Sequence, residues 1–584
     1  MLFQNLFRKK NAITNDLKTP LLRCLNLFDL ILLSVSGMVG SGIYVLTGVV
    51  AKDLTGPAII ISNLLAGCAC LLGALCYAEF AARIPRAGSS YIFIYESIGE
   101  IVAFLVGFTS IVGGLTSLGV SARVWSAYFD ALFNNTIHSF IAEHIIHWPD
   151  AQAPFSKYPD LLAFGITMIV ILAMLSGLKN SKYLTNSLTV VNMSALFFIG
   201  ITGFVLGNAH NYQPFIPYGV SSIFRGSSLL LYSYIGFEMA TIAIEEAKNP
   251  SKIVPQATVI SLLIVTSLYS LAGASLTYLI PYNDINSESS FAHAYSLSKW
   301  PWASYIISIA IVFSAGGNLL SGTYGCIRII YAMSTDGLLP SKLSSVSEAR
   351  HVPVIATCSA CFIIALLATF FDIKDLIGFA DISALLSYTG VSMGLLIERY
   401  DHHMPYKILL TQEENVEEEM SELNNDKDDN QDMELNNIVE HDPFLTRVAR
   451  SLCGSRIPLI DSYLSPKSTA IVLLLMFIPS TSVLATMTIH ILNRNRLLHI
   501  VIIVTCLLVN VMITFVFCLM HPKKQIEKLL FTCPGIPIVP LININIFIFL
   551  MVFQDAHDWF AYACIIVLSL FIYCFYSYRH SKAS

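Results

Sequence analysis

Apolar residues in this chain arrive in long blocks rather than scattered among polar ones. The blocks lie near 27–50, 58–83, 100–128, 161–178, 187–207, 226–246, 256–281, 302–332, 353–371, 376–397, 468–491, 497–520, 536–554 and 558–578. A helix of about 20 residues crosses a ~30 Å hydrocarbon core. The pattern therefore predicts an all-α polytopic membrane protein with fourteen spans. It divides the chain into an N-terminal segment (1–26), a ten-span core (27–397), a polar loop (398–467), four further spans (468–578) and a short tail (579–584).

The polar positions between the blocks set an orientation, because inner loops collect Lys and Arg. With residues 1–26 inside, the inner segments hold Arg83 and Arg86, Lys179 and Lys182, Lys248 and Lys252, Lys342 and Arg350, then Lys523, Lys524 and Lys528. An even number of spans puts both ends inside. Asn134-Asn135-Thr136 then falls outside, where Asn134 can accept a glycan. Asn192-Met193-Ser194 has the same pattern but lies within a span and is discounted.

Composition agrees. The 584 residues are 55% hydrophobic and only 12% charged, about half the charge of a soluble domain. The net charge of −5 comes from one stretch: 13 acidic residues and a single Lys lie between Gln412 and Asp442, and the remainder carries 33 basic against 26 acidic residues. Such a run cannot bury a core and reads as a disordered, solvated inner loop. Residues 1–26 have no apolar stretch of signal-peptide length. None of the 13 cysteines falls in the long outer loops, so no disulfide-linked partner subunit is expected. Cys358 and Cys361 have no second pair nearby and read as core residues rather than a zinc site. His138, His144 and His147 are loosely spaced and are expected to be surface residues. Nucleotide-binding, metalloprotease and hydrolase motifs are missing, so neither an enzyme, a cofactor, a metal nor a nucleic-acid partner is expected.

Two blocks contain what a helix in lipid avoids. The first carries Gly37 and then Gly40-Ser41-Gly42-Ile43 at its middle. The sixth carries Tyr232-Ser233-Tyr234-Ile235-Gly236-Phe237-Glu238. These are the first members of two consecutive sets of five, and interrupted helices at matching places point to a binding site. N–H groups freed at Gly40 to Ile43 suit a carboxylate, and carbonyls freed before each break suit an ammonium group. The backbone alone thus predicts a clamp for a zwitterion. Glu238 is the costliest residue within a span, since an ionised side chain there costs about 2.5–3.5 kcal/mol. Glu79 and Glu100 invite the same question less strongly, and Glu245 and Glu246 are expected to pair with Lys248.

Four stretches carry a resemblance: Ser36 to Thr47 (SGMVGSGIYVLT), Cys76 to Tyr91 (CYAEFAARIPRAGSSY) leading through Glu100 to Ser121–Asp130 (SARVWSAYFD), Gly236 to Pro255 (GFEMATIAIEEAKNPSKIVP) and Arg328 to Leu339 (RIIYAMSTDGLL). With these, and a fainter echo in Tyr578 to Ser581 (YRHS), the chain resembles the cationic amino acid transporters, the fourteen-span branch of the amino acid–polyamine–organocation superfamily. The resemblance implies a LeuT-like fold of two inverted five-helix repeats plus four C-terminal spans. It implies that Gly40, Ser41, Gly42 and Ile43 meet the substrate carboxylate, that Tyr232, Ser233 and Ile235 meet the α-amino group, and that Glu238 stands where the family has Asp. Asn192, where proton-coupled bacterial relatives carry Lys, implies uniport; Glu100 and Asn192 are the coupling or gating candidates. The expectation is a facilitative amino acid transporter of the plasma membrane, or of a lysosomal or vacuolar membrane, for arginine, lysine and ornithine. Neutral amino acids or polyamines, and a non-transporting amino acid sensor, are the alternatives.

Overall fold

The computed structural model describes residues 8, 23–133, 136–144, 155–156, 159–176, 178–286, 290–347, 352–401, 466–493, 497–520, 531–554 and 556–582. The acidic stretch, Asn134 and His147 lie outside them. The fold is all α-helical and polytopic. Among the described residues there is no strand, only isolated bridges such as that between Leu25 and Ala247.

Every predicted block has helical counterparts. The first is α1 (Leu27–Met38) and α2 (Ser41–Val50). Then follow α3 (Ile59–Arg83), a short α4 (Ser90–Ser97), α5 (Glu100–Ala131), a short α6 (Thr136–His144), α7 (Leu161–Leu175) and α8 (Leu178–Leu206). The sixth block is α9 (Val220–Leu230), a 3₁₀ turn (Leu231–Tyr234) and the four-residue α10 (Met239–Ile242). The core continues with α11 (Pro250–Leu279), α12 (Ser290–Ser296), α13 (Trp302–Thr335), α14 (Val354–Phe370) and α15 (Ile373–Arg399). The last spans are α16 (Pro466–Asn493), α17 (Leu497–Leu519), α18 (Ile538–Met551) and α19 (Ala556–Ile572).

Among the described residues nine helices are long and apolar enough to cross a membrane, and four shorter apolar ones accompany them. The sixth block is in neither group: its helix is cut into pieces, and the longest of them, α9, has 11 residues of which four are Ser and one is Arg. Large apolar side chains such as Leu172, Val205 and Phe560 stay exposed, as a lipid-facing belt requires.

Local chemistry explains the helix ends. Asn26 and Asp29 cap α1 reciprocally, each side chain accepting the other's backbone N–H. Asp160 caps α7 through Ala163 N at 2.9 Å. Small residues bring helices close: a Cβ on Gly67 would meet Thr266 of α11, and one on Gly113 would meet Ser383 of α15. Leu25, just before α1, exchanges backbone hydrogen bonds with Glu246 and Lys248, just after α10. The start of one interrupted block is therefore tied to the end of the other.

Candidate functional site

α1 stops at Met38 and α2 starts at Ser41, with Gly40 at φ −134°, ψ −137° between them. Among the described residues no side chain caps the N–H groups that open α2, the groups that a helix start leaves without an intrahelical partner. The carbonyls that α1 frees are already occupied. Asn318 Nδ2 donates to Ser36 O (3.1 Å) and Gly37 O (2.7 Å), Tyr269 Oη to Met38 O (2.9 Å), and Asn192 Nδ2 and Ser314 Oγ to Val39 O (3.1 and 3.3 Å). The first break is thus braced by four side chains from three neighbouring helices. Its carbonyls were freed in lipid, where an unpaired polar group is expensive, and neighbouring spans pair them.

The second break turns at Ile235 (ψ 129°) and Gly236, whose φ of +112° is a conformation that favours glycine. Glu238 folds back on this turn: its Oε2 accepts Gly236 N at 3.2 Å and Tyr388 Oη at 2.9 Å. The two breaks face each other across glycines. A Cβ on Gly236 would stand 2.6 Å from Gly37 backbone atoms, and one on Gly42 would stand 2.7 Å from Ser233 Oγ and 2.8 Å from Ser233 Cα. Tyr269 pins both, also meeting Ser233 O at 3.1 Å. Tyr232 Oη lies 3.2 Å from Ser117 Oγ. Ser233 Oγ is buried without a hydrogen-bond partner among the described residues.

A cavity of ≈ 90 Å³ opens beside the breaks. Its walls include Gly37, Ile235 and Gly236, small residues of α5 and α13 such as Gly113 and Gly322, and the side chains of Asn318, Glu238 and Tyr388. Among the described residues Glu238 is the only charged one in the lining, and no Lys or Arg pairs with it. The structure places Ile235 and Glu238 in the cavity wall, packs Gly40 on Asn318 and Gly42 on Ser233 and sets Tyr232 against Ser117, while Ser41 and Ile43 stand in the first break outside the described lining. It adds Asn318, Tyr269 and Tyr388, which the sequence reading did not single out. An Asn inside an apolar span was a signal; the two tyrosines gave none.

The other acidic residues lie elsewhere. Glu100 opens α5 and is not among the described lining of the cavity; its carboxylate is held by hydroxyl groups. Asn192 does reach the first break, where its Oδ1 accepts Tyr44 Oη at 2.5 Å. Glu79 is wrapped by Arg83, by Arg399 Nε at 2.8 Å and by Cys533 N at 2.8 Å. Glu246 pairs with Arg328 of α13 at 2.5 Å and Glu245 accepts Ala87 N, in place of the expected pairing with Lys248. Local sequence offered Lys248, but the helix packing offered a buried guanidinium.

His138 also departs from expectation. Rather than standing free on the surface, it sits between Asp130 (3.0 Å) and Asp160 (3.6 Å), and Asp130 accepts the N–H groups of Ile137 and His138. Burial opposes charge on this imidazole, but the two carboxylates outweigh burial and the nearby Arg123, so its pKa is raised above 6.5. A raised folded pKa means that the attraction is fully present below pH 6.5 and is lost as pH rises through the folded value. Hydrogen exchange across 136–144, corrected for its intrinsic pH dependence, should therefore speed up in that window. A His138→Gln chain should show a flat profile; an unchanged profile would remove the imidazole from the clamp.

The same residues place the chain among known proteins. An amino acid permease family model matches residues 25–410, and a model of the permease C-terminus matches 531–581. Cationic amino acid transporter 4 of Homo sapiens is 32% identical over 595 aligned positions, covering 100% of this chain and 91% of that protein. The Mus musculus protein of the same name is 39% identical over 407, covering 69% of this chain and 64% of its own length. A branched-chain amino acid permease of Bacillus subtilis is 33% identical over 413, covering 68% and 86%. With two facing helix breaks on a polytopic α-helical frame and these matches, the chain belongs to the cationic amino acid transporter family of the amino acid–polyamine–organocation superfamily, a family of permeases rather than enzymes.

Proposed function

We propose that this chain carries cationic L-amino acids (arginine, lysine and ornithine) by facilitated alternating access around the two breaks. The carboxylate would rest on the N–H groups of Gly40 to Ile43, the α-ammonium on the backbone of Tyr232 to Ile235, and the side-chain cation near Glu238. The observation that carries the cargo reading is Glu238, which among the described residues is the one charged group of the cavity wall and has no cation paired with it. The names of the mammalian relatives support it. A membrane potential alone suffices to drive such a cargo, at ~2.3 kcal/mol per charge per 100 mV. The frame proposed is two inverted sets of five spans within 27–397, four added spans within 468–578, Asn134 outside as a glycan acceptor, and a home in the plasma membrane.

The test is uptake of radiolabelled arginine into proteoliposomes with an inside-negative potential. Faster uptake than into empty vesicles, and faster still with the potential, is the expected result. Binding without uptake would instead make the chain a sensor. Glu238→Gln keeps an acceptor for Gly236 N and Tyr388 Oη but removes the charge, so the arginine-to-leucine preference should fall about tenfold. An unchanged preference would favour a second reading, a neutral cargo. That reading is supported by the two donors that already hold Glu238 to the break and by the branched-chain permease among the relatives.

A further inference from the structure

Glu100 is 1% exposed, and both its oxygens are taken by hydroxyl groups from two other segments. Oε1 accepts Tyr573 Oη at 3.0 Å; Oε2 accepts Tyr95 Oη at 3.0 Å and Ser581 Oγ at 2.7 Å. The stretch that follows α19 thus crosses the inner face as a strap. Its second anchorage is the end of α13: Ser577 Oγ donates to Leu338 O (2.7 Å), Lys582 N to Asp336 O (3.0 Å) and Lys582 Nζ to Thr335 O (3.0 Å). Gly337, at φ +80°, leaves room for the strap, since a Cβ there would overlap His580 O. Asp336 in turn accepts Tyr91 Oη of α4 at 2.8 Å. The strap therefore fastens the start of α5 to the end of α13, and both helices wall the cavity.

We propose that Ser581 is a phosphoacceptor, and that a phosphoryl group on its hydroxyl releases Tyr573–Lys582 from Glu100. The hydroxyl is half-buried at the edge of the described chain, flanked by Arg579, His580 and Lys582, a cationic setting that a basophilic protein kinase reads. In the transfer, the Oγ–phosphorus bond forms, the bond from the γ-phosphorus to ADP breaks, ADP leaves with its electron pair, and the hydroxyl proton passes to the kinase's base. The product brings about −1.5 to −2 charges against a buried carboxylate and loses the donor that held it, so docking fails by repulsion and desolvation. This proposal is independent of the cargo and rests on the orientation that puts the Glu100 face in the cytosol.

The test uses the full chain in nanodiscs, incubated with the catalytic subunit of the cyclic-AMP-dependent kinase and magnesium ATP. Mass spectrometry reads the phosphate and hydrogen exchange reads 573–582 and 335–339. Phosphate on Ser581 with at least tenfold faster exchange in both stretches is the expected result, and Ser581→Ala should show neither. Ser581→Glu should loosen the strap, and adding Glu100→Gln should restore protection by removing the opposing charge. An unmodified Ser581, a phosphorylated strap that stays protected, or a Ser581→Glu strap indifferent to Glu100→Gln would each overturn the proposal. Phosphate acquired in nanodiscs but not on co-expression with the kinase in cells would refute the orientation instead.

Discussion

Replacing Gly42 with valine abolishes amino acid binding while the chain still inserts and purifies as a folded protein. The reason is contact between the two breaks. A Cβ at residue 42 would stand 2.8 Å from Ser233 Cα, a backbone atom that cannot rotate away as a long side chain could. α2 must then back off from the 3₁₀ turn Leu231–Tyr234, and the carboxylate and ammonium subsites separate. Overpacking of this kind costs about 1–3 kcal/mol, and the lost geometry adds to it, so affinity should fall by roughly 100-fold or more. Equilibrium binding of labelled substrate to detergent-purified protein, with a monodisperse elution profile, checks this. Gly165→Val is the matched control, because nothing lies within 4 Å of a Cβ there. Near-normal affinity in the Gly42 variant would refute the clamp.

Asn318→Ala should weaken binding almost as severely, for a different reason. One carboxamide donates to Ser36 O and Gly37 O and accepts Ser121 Oγ at 2.7 Å, so it couples α13 and α5 to the frayed end of α1. Without it two buried carbonyls lose their donor, at about 1–3 kcal/mol each. The expected result is a lower melting temperature and a roughly tenfold or greater rise in Kd. Asn318→Asp keeps the shape but cannot donate when ionised, and should not rescue. Asn318→Gln should not rescue either: the carboxamide already fills the space beside Gly40, where a Cβ would lie 2.5 Å from Asn318 Cγ. Wild-type affinity in Asn318→Ala would show that the break holds itself open without help from α13.

These two residues mark the difference between what the chain announces and what it conceals. Gly42 announces itself, since a glycine cluster at mid-span has few explanations in lipid. Asn318 is the one Asn in a 34-residue helix that also carries several Ser and Thr and Arg328, and no local pattern says which carbonyls it will meet. Tyr269 and Tyr388 look like ordinary span residues until packing sets one against Met38 O and Ser233 O and the other against Glu238. Glu238 itself was legible as a costly residue. That its carboxylate would accept the N–H of the glycine two residues before it was not, because that depends on the φ of +112° at Gly236.

By itself, the sequence determined the fourteen apolar blocks, the all-helical class, and the two blocks within which helices are interrupted. Those follow from hydrocarbon thickness and from the intolerance of a lipid-borne helix for glycine clusters, both local properties of the chain. Only the tertiary structure decided which groups satisfy the freed backbone, that Glu246 chooses Arg328 over Lys248, that His138 sits between two aspartates, and that Ser581 closes on Glu100. Each of those pairings joins residues brought together by helix packing, and in lipid an unsatisfied polar group takes whichever partner the packing brings near.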